Sequence, residues 1–143
     1  MASLKPTLTL TSTAGTTGIS EDSSLVLSVT DDLNVTDPSI GISRVACTTT
    51  GNETIILPDL DTTRYVYIKN TGLDASDNAT TATIKVETAN NTRIIDLGQD
   101  EFCFFPHKAE NSGLIQLEAS TTNADGTAST GTVVAEYGYW TKV

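Results

Sequence analysis

Apolar and polar side chains alternate along most of this chain with a period of two, and turn-forming residues break the alternation every few positions. That pattern constrains the fold more than any other feature. Successive side chains of a strand point to opposite faces, whereas a helix repeats every 3.6 residues. Residues 7–12 alternate Leu8 and Leu10 with threonines, and residues 23–30 place Leu25, Leu27 and Val29 on one face. Residues 41–49 set Val45 and Cys47 against Ile42 and Ala46. A turn at Thr50-Gly51-Asn52 leads into the apolar run 55–57. The clearest strand is 64–70, RYVYIKN, with Val66 and Ile68 opposing Tyr65, Tyr67 and Lys69.

Past the break at Asn70-Thr71-Gly72, residues 80–87 set Ala82, Ile84 and Val86 against Thr81, Thr83 and Lys85. Asn90-Asn91 tolerates the positive φ of a turn, and 93–97 returns as a strand. Gly98-Gln99-Asp100 leads into 101–106, EFCFFP, and strands over 114–119 and 133–140 follow. Asp125-Gly126 suits a hairpin tip between those two. Thr occurs 26 times, and its stiff β-branched side chain packs well on a pleated surface. About ten short strands with regular turn chemistry predict an all-β, single-domain β-sandwich over 1–143, a jelly roll in preference to an immunoglobulin-like sandwich. Residues 1–6 read as a flexible N-terminal segment, and 11–22 and 120–132 as loops.

Charge narrows the partners. With 18 acidic and 8 basic residues the chain carries a formal charge of −10. Nucleic-acid binding draws most of its affinity from Lys and Arg neutralising phosphates, so nucleic acid and anionic membranes are poor partners. The start, MASLKPTLTLTSTAG, has no apolar stretch of the kind a secretory signal needs, and no apolar run approaches the ~20 residues of a spanning helix. A reducing, soluble compartment is expected, with Cys47 and Cys103 as buried free thiols. Four N-x-S/T sequons, at Asn34, Asn52, Asn78 and Asn90, carry no meaning outside a secretory route.

Catalytic equipment is sparse. Nucleophilic catalysis needs a base beside the nucleophile, and the single histidine, His107, reads as a surface-loop residue with no nucleophile elbow nearby. One His and two distant Cys make a poor zinc set. Acidic pairs occur at Glu21-Asp22, Asp31-Asp32 with Asp37, Asp59 with Asp61, Asp74 with Asp77, and Asp100-Glu101, but none matches a calcium-binding loop. The expectation is a non-enzyme without metal or cofactor.

The aromatic residues are more informative. In EFCFFP, Phe102 and Phe104 share one face, with Cys103 and Phe105 on the other; in VVAEYGYW, Tyr137 and Tyr139 share a face opposed by Trp140. Core packing is the plain reading. An oligomer contact is the sharper one, since Tyr and Trp are enriched at interfaces, so Phe102, Phe104, Phe105, Tyr137, Tyr139 and Trp140 are candidate interface residues. Tyr65 and Tyr67 form a candidate carbohydrate platform, the alternative reading being an adhesion module.

Several stretches together, MASLKPTLTLTS, GISRVACTTTGNETIILP, RYVYIKNTG, DLGQDEFCFFP and VVAEYGYWTKV, resemble small virion structural proteins of tailed, notably marine, bacteriophages. The resemblance implies a capsid decoration or cement protein, assembled in the host cytoplasm and built into the virion in many copies. Its implied partners are the major capsid protein, other virion subunits and further copies of itself, a trimer being favoured. It brings no catalytic residues.

Overall fold

The computed structural model describes residues 2–11, 26–38, 41–48, 53–58, 62–88, 91–108, 114–120, 126–127 and 131–143. These form twelve strands: β1 (Ala2–Leu4), β2 (Thr7–Thr11), β3 (Val26–Thr30), β4 (Leu33–Pro38), β5 (Ser43–Cys47), β6 (Thr54–Leu57), β7 (Arg64–Asn70), β8 (Ile84–Thr88), β9 (Thr92–Leu97), β10 (Phe102–His107), β11 (Ile115–Ala119) and β12 (Val133–Lys142). All strand pairings are antiparallel. One sheet runs β1-β4-β12-β7-β10, with β5 also on β12; a second runs β6-β11-β8-β9; β2 and β3 form a separate two-stranded ribbon.

The alternation seen in the residues becomes the core. Val66 and Ile68 of β7, Val133 and Ala135 of β12 and Cys47 of β5 share one buried cluster with Ile84 and Val86 of β8, Leu97 of β9 and Ile115 and Leu117 of β11. Two sheets therefore bury their inner faces against each other, an all-β sandwich. Each fully buried aliphatic side chain contributes about 1.5–3 kcal/mol relative to exposure.

Asn70, the last residue of the expected strand 64–70 and the first of the break that follows, is fully buried at the end of β7. Its Nδ2 donates to the Ala82 carbonyl (2.9 Å) and the Leu97 carbonyl (3.1 Å), and its Oδ1 accepts from the Gly72 N–H (2.8 Å). One carboxamide thus ties the first sheet to segments of the second. Gly72 takes a φ of 68°, and a Cβ there would lie 2.6 Å from Cγ of Gln99.

The observed elements differ from the expected ones in three places. Within residues 1–6, Ala2–Leu4 forms a strand and pairs with β4 as Ala2↔Val35 and Leu4↔Leu33. Residues 33–38, not among the strands expected above, form β4, held by β12 on one side and β1 on the other. The strand expected over 80–87 begins only at Ile84, although Ala82 is buried ahead of it. The turn at Thr50-Gly51-Asn52 and residue Asp125 of the hairpin tip lie outside the described residues.

Candidate interaction face

The register across β10, β7 and β12 decides which aromatic residues meet. Phe104 lies opposite Tyr67, which lies opposite Gly138; Tyr65 lies opposite Trp140 and Pro106. Side chains of one face alternate, so Phe102, Phe104, Tyr65, Tyr67 and Trp140 all emerge on the outer face of the first sheet. Five of the chain's eight aromatic residues are gathered there. The Tyr65 and Phe104 rings stack at 5.9 Å with planes 10° apart, Tyr67 and Phe102 lie 6.3 Å apart, and Phe104 lies 6.4 Å from Trp140. Such offset and tilted pairs are favourable beyond their area.

Gly138 makes this arrangement fit. A Cβ at that position would come within 3.2 Å of Cδ1 of Ile42 and 3.2 Å of Cη2 of Trp140, so the indole and the isoleucine close over a bare stretch of backbone.

Exposure divides the cluster into foundation and surface. Tyr65 is only 8% exposed, whereas Phe102 is 57% and Phe104 36% exposed. Tyr65 stacks beside Phe104, Tyr67 and Trp140 are half-buried, and the most exposed rings are the phenyl groups of Phe102 and Phe104. Polar residues border them. The Arg44 guanidinium bridges to the Glu136 carboxylate, with Nε at 2.9 Å, and Lys142 Nζ stands 5.9 Å over the Tyr65 ring. Burial, then the nearby Glu136 carboxylate, pushes the Tyr67 phenol up.

Phe105, Tyr137 and Tyr139 point the other way and pack against the core cluster. The structure therefore separates the six candidate interface residues into an outer three, Phe102, Phe104 and Trp140, and an inner three. Tyr65 and Tyr67 join the outer set, though as supports for Phe104 and Phe102. Their pairing with those rings depends on a non-local register that no stretch of sequence announces.

The outer face of the second sheet is different in kind. Lys85 pairs with Glu118 at 3.5 Å, Arg93 with Asp96 at 3.2 Å, and Gln116 donates to Asn91 Oδ1 at 2.9 Å. These polar contacts share the face with two exposed aliphatic side chains, Ile55 and Ile94, and among the described residues no aromatic ring stands with them.

Of the residues considered for chemistry, His107 ends β10, half-buried, its ring edge-on to Phe105 at 6.4 Å. Cys47 and Cys103 are free thiols; burial pushes Cys47 up to about 12 and Cys103 up to about 11. Both stay protonated at neutral pH, and the thiolate is the nucleophile. The Asp74 carboxylate accepts the N–H groups of Asn78 (2.9 Å) and Ser76 (2.8 Å), which hold it below the usual carboxylate range and use it to shape a turn. Among the described residues no group of three or more His, Cys, Asp or Glu gathers as a metal site, and no helix is long and apolar enough to cross a membrane. Glu21, Asp22, Asp59 and Asp61 lie outside the described residues. No family model, curated protein or solved structure matches this chain.

Proposed function

We propose that this chain is a non-enzymatic structural subunit that docks on a larger assembly through the aromatic outer face of its first sheet. One observation carries the reading: Phe102 and Phe104 stand exposed beside Tyr65, Tyr67 and Trp140, five rings gathered on one sheet face. Exposed apolar patches rimmed by polar residues mark interaction sites, and rigid aromatic anchors at the centre of an interface supply most of its energy. Taken with the resemblance to small virion proteins, the assembly proposed is a phage head, and the role that of a decoration or cement protein binding the major capsid protein.

The adhesion alternative loses support from the burial of Tyr65. A sugar-stacking platform needs two open rings with hydrogen-bonding groups beside them, and the open rings here are Phe102 and Phe104. The test is cosedimentation of the purified protein with expanded, undecorated capsids. Wild type is expected to bind, and Phe102→Ser/Phe104→Ser to lose binding by about tenfold or more, as for anchors costing at least ~2 kcal/mol on truncation. Failure of the wild type to bind, or equal heat resistance of capsids with and without it, overturns the proposal.

A further inference from the structure

The ribbon formed by β2 and β3 continues the register of β1 on β4: Leu4↔Leu33 is followed by an Asp31 N–H to Pro6 carbonyl bond at 3.4 Å and then by Thr7↔Thr30. One long hairpin therefore begins inside the first sheet and leaves it as a two-stranded arm. Beyond Pro6 the arm runs about 17 Å, at roughly 3.3 Å per residue, and among the described residues β2 and β3 pair only with each other. Residues 7–10 and 27–30 are all exposed. Leu8↔Val29 and Leu10↔Leu27 are cross-strand pairs, so all four aliphatic side chains share one face. Each is between 41% and 51% exposed. A lone two-stranded hairpin is marginal in water and becomes stable when its apolar face packs on something.

The same molecule carries a matching recess. Between the root of the arm and β10 lies an apolar groove in two lobes, of about 260 and 230 Å³, which share Pro6, Leu8 and Phe104 in their lining. Phe102 completes one lobe and Val29 the other. An apolar cavity of ~150 Å³ already accepts a benzene-sized ligand. Leu8 and Val29 border this groove, but Leu10 and Leu27, nearer the tip, do not, and so stay available to another molecule.

From these features we infer that the β2–β3 arm of one copy seats Leu10 and Leu27 in the Phe102–Phe104 groove of a second copy of this chain. Charge argues for that occupant. Each copy carries −10, so copies repel in general, yet β2 and β3 contain no charged residue and the groove is charged only at Asp31. The paired strands therefore add no charge of their own to the contact. Every copy also supplies both halves of the contact, an arm and a groove. A reciprocal pair or a closed ring then satisfies all copies. The inference rests on the reading of the aromatic face as an assembly surface and names the partner at one edge of it.

The test is the mass of the purified protein by sedimentation or light scattering at concentrations up to about 100 μM, where a micromolar contact is saturated. Wild type is expected as one closed oligomer. Leu10→Asp/Leu27→Asp is expected as a monomer with an unchanged melting temperature, because the arm lies outside the core. The groove variant Phe102→Asp is also expected as a monomer, and mixing the two variants is expected to restore a mixed oligomer through the one intact arm and the one intact groove. A monomeric wild type overturns the inference, as does an arm variant that keeps the wild-type mass or a mixture that stays monomeric. No capsid enters this experiment, so its failure is separable from failure of the capsid-binding reading.

Discussion

Asn70 sits fully buried where the two sheets meet, and three backbone groups depend on its carboxamide. Asn70→Ala removes both donors and one acceptor and leaves buried carbonyls unpaired, which costs about 2–4 kcal/mol. Urea unfolding of the variant should show a lower midpoint with an unchanged slope. Asn70→Asp is expected to be no better, since a carboxylate cannot donate to the Ala82 and Leu97 carbonyls. The two thiols make a second prediction. Burial raises Cys47 from 9.0 to about 12 and Cys103 to about 11. A folded pKa above the unfolded one gives stability that is fully present below about pH 9. That stability is lost as pH rises through 11 to 12, when the unfolded chain sheds its thiol protons first. Midpoints measured between pH 8 and 11 should fall progressively, and at pH 8 a thiol reagent should modify the native protein at least a hundredfold more slowly than the urea-unfolded chain.

At the scale of elements, β12 carries the most structure. It pairs with β7 on one side and with β5 and then β4 on the other. Its Gly138 leaves room for Trp140 to lie beside Ile42. Gly138→Val must push the indole outward, and because Trp140 is the chain's single tryptophan, a red-shifted emission reports that displacement directly. The variant should also weaken docking on capsids in proportion, since Trp140 supports Phe104. How readable each element was in the residues follows from where its stability comes from. Strand β7 was legible because its alternation is complete and clean turn residues bound it, and the structure returns Arg64–Asn70 over the same span. Strand β4, LNVTDP, was not, because Asn34, Asp37 and Pro38 carry turn chemistry and its extended form is imposed by the flanking β1 and β12. Ala2–Leu4 has the same cause: three residues have no pattern of their own and take their register from the hairpin they belong to.

At the scale of the whole molecule, the sandwich has two unlike exteriors. Ion pairs and amides, with Ile55 and Ile94 among them, lie on the second sheet, whereas aromatic rings stand on the first beside a ribbon whose two strands carry no charged residue. The division of EFCFFP and VVAEYGYW into inner and outer sets was readable from alternation alone. Which outer rings touch was not, because Phe104 meets Tyr65 and Trp140 only through the pairing of three strands distant in sequence. For an acidic subunit that associates through apolar surface, added salt should strengthen assembly by screening the repulsion between copies; a charge-driven contact would weaken instead. Sedimentation across a salt series separates the two.

The central claim, that the outer face of the first sheet is where this chain joins its neighbours, is tested most directly by a high-resolution electron-microscopy map of the assembled particle. The account predicts Phe102, Phe104 and Trp140 covered by an adjacent subunit, with the ion-paired face of the second sheet turned to solvent. A map in which these rings face solvent and the polar face makes the contact would contradict it.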